Sequence, residues 1–370
     1  MKGKLKLLAI TFCFIFLAGC TEKELKIPLE DVGMVGVLAF DYIDDEQTQI
    51  TVAIPQYDPE AKEHTQIFSV STDLISKGIV EIEALSDKKI VLNQLRVVLV
   101  NEQFALQGDV RNAIQQLYRN AEVGNKVLIA VVKESAEDML KQEYPDKPSV
   151  IMYLNDLLQP SVNTAFNPNT NIHDFMYTQT NPNFDSIVPF LKTKDGKIDI
   201  DGIALFKEKR MLKSLSTNEG LIIQALQGRK KLAPLNIELN NENQKEKLLI
   251  DLIDSKVKIR SNKDLKAPKL NIVLKMSGTL IEYRGERENK LKSIDNIADL
   301  EKDVNKKVEQ DISNFLEEIK KLEVDPIGLT ENFRMHYKGN WDKELTNETI
   351  SKLEWDIQVD TSILSTGILR

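Results

Sequence analysis

The residue with the most distinctive chemistry is a cysteine, in Leu17-Ala18-Gly19-Cys20. Two small residues immediately before a thiol have the form of a bacterial lipobox, in which diacylglycerol alkylates the cysteine and the chain is cut before it. The preceding segment fits that reading. Lys2, Lys4 and Lys6 make a basic start, and Leu7 to Leu17 is apolar except for Thr11, the order of parts found in a secretory leader. The apolar run is about half of the roughly 20 residues that a membrane-spanning helix needs, so it is expected to be removed. Residues 1–19 are thus read as a lipoprotein signal peptide, Cys20 as the lipidation site and 20–30 as a tether. Two acyl chains give durable anchoring, which would hold the remaining chain on the outer face of the cell membrane. An ordinary cleavage site that happens to precede a cysteine explains less, because the position, the small residues and the basic start all agree.

Little other chemistry is on offer. Cys13 leaves with the leader and Cys20 carries lipid, so the mature chain would have no free thiol for a disulfide, a nucleophile or a metal. The sequence contains no Gly-rich phosphate loop, GxSxG elbow or HExxH pair. His64, His173 and His336 are far apart, with no second histidine or cysteine at ligand spacing, and read as surface or loop residues. His173-Asp174 could join a serine in a scattered triad, but nothing selects one. No catalytic, metal or cofactor-binding residue is therefore assigned. Arg229-Lys230-Lys231 follows a helix end, where cations complement the helix dipole. Trp341 lies in a polar loop and is expected to pack onto the last strand, with an anchor for a partner as the alternative.

The composition is that of a globular protein: 370 residues, 42% hydrophobic and 29% charged. That length suits two or three domains. The formal charge is −8, and removing three leader lysines makes it −11. Such an acidic body argues against binding nucleic acid, and against adhesion to anionic lipid through a basic patch. No later apolar run approaches the length of a second membrane segment.

The elements are legible in order. Val32–Phe40 and Ile50–Ile54 read as strands around the acidic turn Asp44-Asp45-Glu46. A helix over 73–85 would be capped by Thr72 or Asp73. The uninterrupted runs Val97–Val100 and Val127–Val132 flank a helix around 110–118 and predict a βαβ unit buried on both faces. Helices follow at 135–142 and 150–158. Residues 160–183, rich in Asn, Pro and Thr, read as an exposed loop or inter-domain crossing. Strands at 186–191 and 198–206 flank the turn Lys194–Lys197. Ser216 or Thr217 with Glu219 opens a helix that Gly228 ends. Apolar residues change parity between Leu252 and Val257, which predicts a bulge near Asp254-Ser255. Leu270–Leu280 alternates as a strand. The stripe from Ile297 to Leu322 marks a long helix, expected to pack on its own sheet rather than form a coiled coil. Trp355–Ile363 alternates again as the last strand.

Several of these stretches, in this order, resemble the Ger(x)C family, the lipoprotein C subunits of bacterial spore nutrient receptors. They are the lipobox, the helix-strand run from Thr72 to Phe104 with its "LRVVLVNEQFA", "LIAVV", "VIMYLNDLL", "IVPFL", "GIALFKEKRML", the helix from Glu219 and "LEWDIQVDTSILSTG". Thr21-Glu22-Lys23-Glu24 stands where the family often has a tryptophan. The resemblance implies a mixed, multi-domain α+β ectodomain of about three domains, with a βαβ-containing first domain and a last domain whose sheet is packed by a long helix. The boundaries expected are 31–188, a small middle domain 189–240, and 241–370. It also implies a non-enzymatic subunit that partners membrane-embedded A and B subunits in the spore inner membrane, with no cofactor and no small-molecule ligand of its own. A solute-binding lipoprotein of a transporter is the alternative.

Overall fold

Uninterrupted apolar strands can be buried only between two layers, and the first half of the chain supplies both. The computed structural model describes residues 27–56, 64–159, 168, 170–241, 244–287, 291 and 294–366. Its larger sheet has eight strands in the order β10-β9-β8-β7-β6-β2-β3-β4. These are β2 Val37–Tyr42, β3 Thr48–Pro55, β4 Thr65–Thr72, β6 Val97–Asn101, β7 Leu128–Val132, β8 Ile187–Lys194, β9 Lys197–Lys207 and β10 Arg210–Ser216. β2, β6, β7 and β8 run parallel and the outer strands antiparallel. Val98 and Val100 face one core with helices α2 Glu102–Gln107, α3 Val110–Arg119 and α6 Ile172–Thr180. Val97 and Leu99 face the other with α4 Ala136–Lys141 and α5 Val150–Leu158. The βαβ reading holds, and so does the hairpin across Asp44–Glu46. A two-stranded parallel ribbon, β1 Val32–Met34 with β5 Lys89–Val91, lies beside α1 Ile75–Leu85.

Three expectations are revised. First, part of the Asn/Pro/Thr-rich segment is helix α6, started by the Asn171 side chain accepting the Asp174 N–H at 2.9 Å. It buries Ile172, Phe175 and Met176, an apolar set at i, i+3 and i+4; residues 160–167 fall outside the described residues. Second, α1 begins after Leu74, with no side-chain cap; Thr72 instead forms a local turn with Leu74. Third, residues 189–240 do not build a core of their own. Their strands up to Ser216 extend the large sheet and those from Leu235 enter the second one, and the two faces of the large sheet serve different cores: Ala204, Phe206 and Met211 the first, Ile203, Leu205 and Leu215 the last. The last core also takes α7 Thr217–Leu226, which opens with a Ser216–Glu219 capping box. Gly228 follows it at φ +81°.

The second sheet is β11 Leu235–Asn241, β12 Gln244–Ser261, β13 Lys269–Arg284 and β14 Glu354–Thr366, in that order. β12 shifts register between Leu252 and Asp254, at the predicted parity change. Helix α8, Ile294–Leu322, buries Leu300, Val304, Val308, Ile312, Phe315 and Ile319 against this sheet, so the stripe is intramolecular. β14 pairs with β13 in parallel and forms an edge. Its backbone N–H groups at Val359, Thr361 and Ile363 donate to Glu309, Asn305 and Glu301 at 2.9, 2.8 and 2.6 Å. The match is geometric: four helical residues rise about 6 Å and two strand residues about 6.6 Å, so an antiparallel helix keeps step with alternate N–H groups. Ser313, one step further along, accepts from the Trp355 indole at 3.2 Å.

An exposed edge with free N–H groups is a template for strand addition. Replacing Glu301, Asn305 and Glu309 together by alanine should increase concentration-dependent self-association, measured by light scattering after size exclusion. It should also cost about 1 kcal/mol per lost bond.

Candidate functional site

Cys20, the expected lipidation site, lies outside the described residues. What the fold builds elsewhere is a junction between the two sheets. Asp325 is wholly buried in the loop that follows α8. Its carboxylate accepts from the N–H groups of Gly328, Leu329 and Thr330 and from the Thr330 hydroxyl, at 2.7, 2.9, 2.8 and 2.8 Å. Burial raises its pKa above the usual carboxylate range, with the hydrogen bonds from Thr330, Leu329 and Gly328 opposing that rise. Across the junction, Asp185 and Asp325 exchange backbone-centred bonds. The Asp185 N–H donates to the Asp325 carbonyl at 2.9 Å, and the Asp325 N–H to the Asp185 carboxylate at 2.7 Å. Lys343 of α10, Lys343–Ser351, closes the set with a 2.8 Å ion pair to Asp185. Asn183 donates to Glu331 at 2.7 Å, in α9, Glu331–Arg334. Gly328 is required here. Its φ is +87°, and a Cβ would stand 2.2 Å from the Phe184 ring.

A second ionic group ties β12 to the segment before α8. The Arg287 guanidinium binds Glu246 through both Nε and Nη2 and reaches Asp303 at 2.7 Å. Burial works to raise the Glu246 pKa, but hydrogen bonds from Arg287 and Tyr283 outweigh it and hold the carboxyl below its ordinary range.

The large sheet also has a crevice of about 560 Å³ at the carboxyl ends of β2, β6 and β7, lined by Asp41, Asn101, Glu102, Lys133, Glu134 and Ser135 among others. Open α/β sheets often bind ligands there. Its buried polar groups are already engaged. Asp41 accepts from the Ala136 and Glu137 N–H groups at 2.7 and 3.0 Å, and Asn101 from Tyr42 and Phe104 at 3.2 and 2.8 Å. The residues considered for chemistry are dispersed. His173 Nδ1 lies 3.2 Å from the Tyr118 hydroxyl, Arg229 donates to the Pro168 carbonyl at 3.4 Å, and the Trp341 indole donates to Thr346 at 2.8 Å. Trp341 packs edge-on against Tyr337. Among the described residues no group of three or more His, Cys, Asp or Glu could hold a metal ion, and no helix is long and apolar enough to cross a membrane.

The Asp325 loop carried a partial signal. Asp-Pro-x-Gly-x-Thr is turn chemistry in which an aspartate binds backbone N–H groups a few residues on. Its partner Asp185, 140 residues earlier, had none.

The matches to known proteins follow the same order of segments. Residues 26–193 match the model of the spore germination protein N-terminal domain, and residues 201–367 that of the spore germination B3/GerAC-like C-terminal domain. The chain belongs to the Ger(x)C family. It is 25% identical over 357 residues to the spore germination protein GerQC of Bacillus cereus, covering 96% of each chain. The crystal structure of the GerBC protein is similar with a TM-score of 0.59 at 17% identity, over 88% of this chain and 96% of that one. The two Ger(x)C segments meet inside the β8–β9 hairpin, where Asp195 and Gly196 turn with φ of 50° and 73° and the sheet continues unbroken.

Asp325→Ala strands the buried Gly328, Leu329 and Thr330 donors of its own loop and should cost on the order of 3–5 kcal/mol in urea unfolding at neutral pH. The Glu246 contribution has the opposite origin and a clear pH sign. A carboxyl held low in the folded state stabilises at neutral pH, and that stabilisation is lost as pH falls through its folded pKa. Glu246→Gln should therefore lower stability at pH 7 and flatten the loss of stability below about pH 4, the ordinary carboxylate range, in a melting-temperature series.

Proposed function

We propose that the protein is the lipid-anchored, non-enzymatic subunit of a spore nutrient germinant receptor, required for its assembly or signalling. Cys20 holds it on the outer face of the membrane that becomes the spore inner membrane, and membrane-embedded A and B subunits are its partners. The observation that carries this reading is the pair of family matches, which together run from residue 26 to residue 367 and begin six residues after a lipobox cysteine. The N-terminal family match and the similar protein GerQC, each described as a spore germination protein, support it. So does the use of the buried carboxylates: Asp41, Asp185 and Asp325 hold backbone and neighbouring elements in place.

The test is purification of the lipidated protein from spore inner membranes in mild detergent, with mass spectrometry of what accompanies it. A transporter-like subunit and a second membrane subunit are expected, and Cys20→Ala should leave a folded protein that no longer sediments with the membrane. Recovery with an importer's permease and ATPase would instead favour a solute-binding lipoprotein.

A further inference from the structure

The parallel pairing of β1 with β5 gathers two separate pieces of chain at one end of the molecule. Val32 stands opposite Lys89, so whatever precedes the two strands, Ile27–Asp31 and Leu85–Lys88, emerges on the same side. A Cβ built on Gly33 would lie 3.6 Å from the Lys88 Cβ, which places the two pieces in contact range. This end is apolar at its surface. Leu29 is 72% exposed, Leu85 62% and Ile27 40%, with Pro28 and Ala84 exposed beside them.

We propose that this surface docks on the lipid bilayer, with Leu29 and Leu85 entering the interfacial region. The inference rests on lipidation at Cys20. Six residues, Thr21 to Lys26, separate the anchor from Ile27, and the seven steps from Cys20 to Ile27 reach about 25 Å at most when fully extended. The patch is thus confined next to the bilayer, whichever way the rest of the protein points. A short tether supplies a millimolar effective concentration, so the surface needs no affinity sufficient to hold the protein alone. The driving force is apolar burial and not charge. Glu30, Asp31 and Asp87 stand near Lys88 and Lys89, leaving no basic excess for anionic headgroups, while the lysine stems can lie along the apolar surface with their ammonium groups at the phosphates. Docking should accordingly be indifferent to anionic lipid.

The mature chain offers a clean probe, because its only cysteine, Cys20, is blocked by lipid. Leu29→Cys, Leu85→Cys and, as a control on the other sheet, Leu364→Cys would each carry one nitrobenzoxadiazole label on the lipidated full-length protein in phosphatidylcholine vesicles. Leu364 is 63% exposed. Labels at 29 and 85 should shift to the blue and lose most of their emission to spin-labelled lipid, with no change when phosphatidylglycerol is added, while the label at 364 keeps its emission. Unquenched labels at 29 and 85 on protein that still floats with the vesicles overturn the docking surface and leave the anchor standing. Protein that does not float overturns both. Equal quenching at all three positions overturns the orientation.

Discussion

A wholly buried carboxylate must have its acceptor positions filled, and Asp325 meets that demand with protein donors in a way that organises both halves of the molecule. Four donors come from its own loop, which fixes the path of the chain out of α8. Its backbone then engages Asp185, which Lys343 neutralises from a third segment. The cost of burying these charges is recovered only if all the partners are present together. The set therefore acts as a register mark, and specifies how the second sheet unit sits against the first more sharply than hydrophobic contact could.

Apolar packing supplies the mass of that contact. Ile203, Leu205 and Leu215 turn away from the core of their own sheet and join α7 and α8 in a cluster that runs through the second sheet. The eight-stranded sheet is for this reason a shared wall. Its β9 and β10 end belongs to two cores at once, and displacement of one unit must be felt at the strands of the other.

Local pattern made much of this legible. The unbroken runs at 97–100 and 127–132 reported a strand buried on both faces, the Ser216–Glu219 pair a capping box, and the parity change after Leu252 a bulge; each is a consequence of side-chain periodicity within a few residues. Helix α6 is hidden in the sequence because the surrounding Asn, Pro and Thr outnumber its few apolar residues. Its three buried residues and its Asn171 cap are ordinary helical signals set among Asn, Pro and Thr. The junction was illegible for a different reason, since Asp185 and Asp325 are joined only by the folded chain. The strands of 189–240 were recognisable, but whether they close on themselves or extend an existing sheet is decided by pairing partners far away. As for Cys20, its reading rests on sequence alone.

The parallel pairing of β14 with β13 has a consequence for the order of events in folding. β11, β12 and β13 follow one another and can zip as hairpins as soon as they are made, whereas β14 is separated from its neighbour by all of α8, α9 and α10. Closing so long a loop is slow. Until it closes, one flank of β13 is unpaired and the underside of α8 has an incomplete seat. The topology thus places the pairing of β14 last, and it is this strand that closes off the flank of β13, a surface prone to unwanted pairing while open.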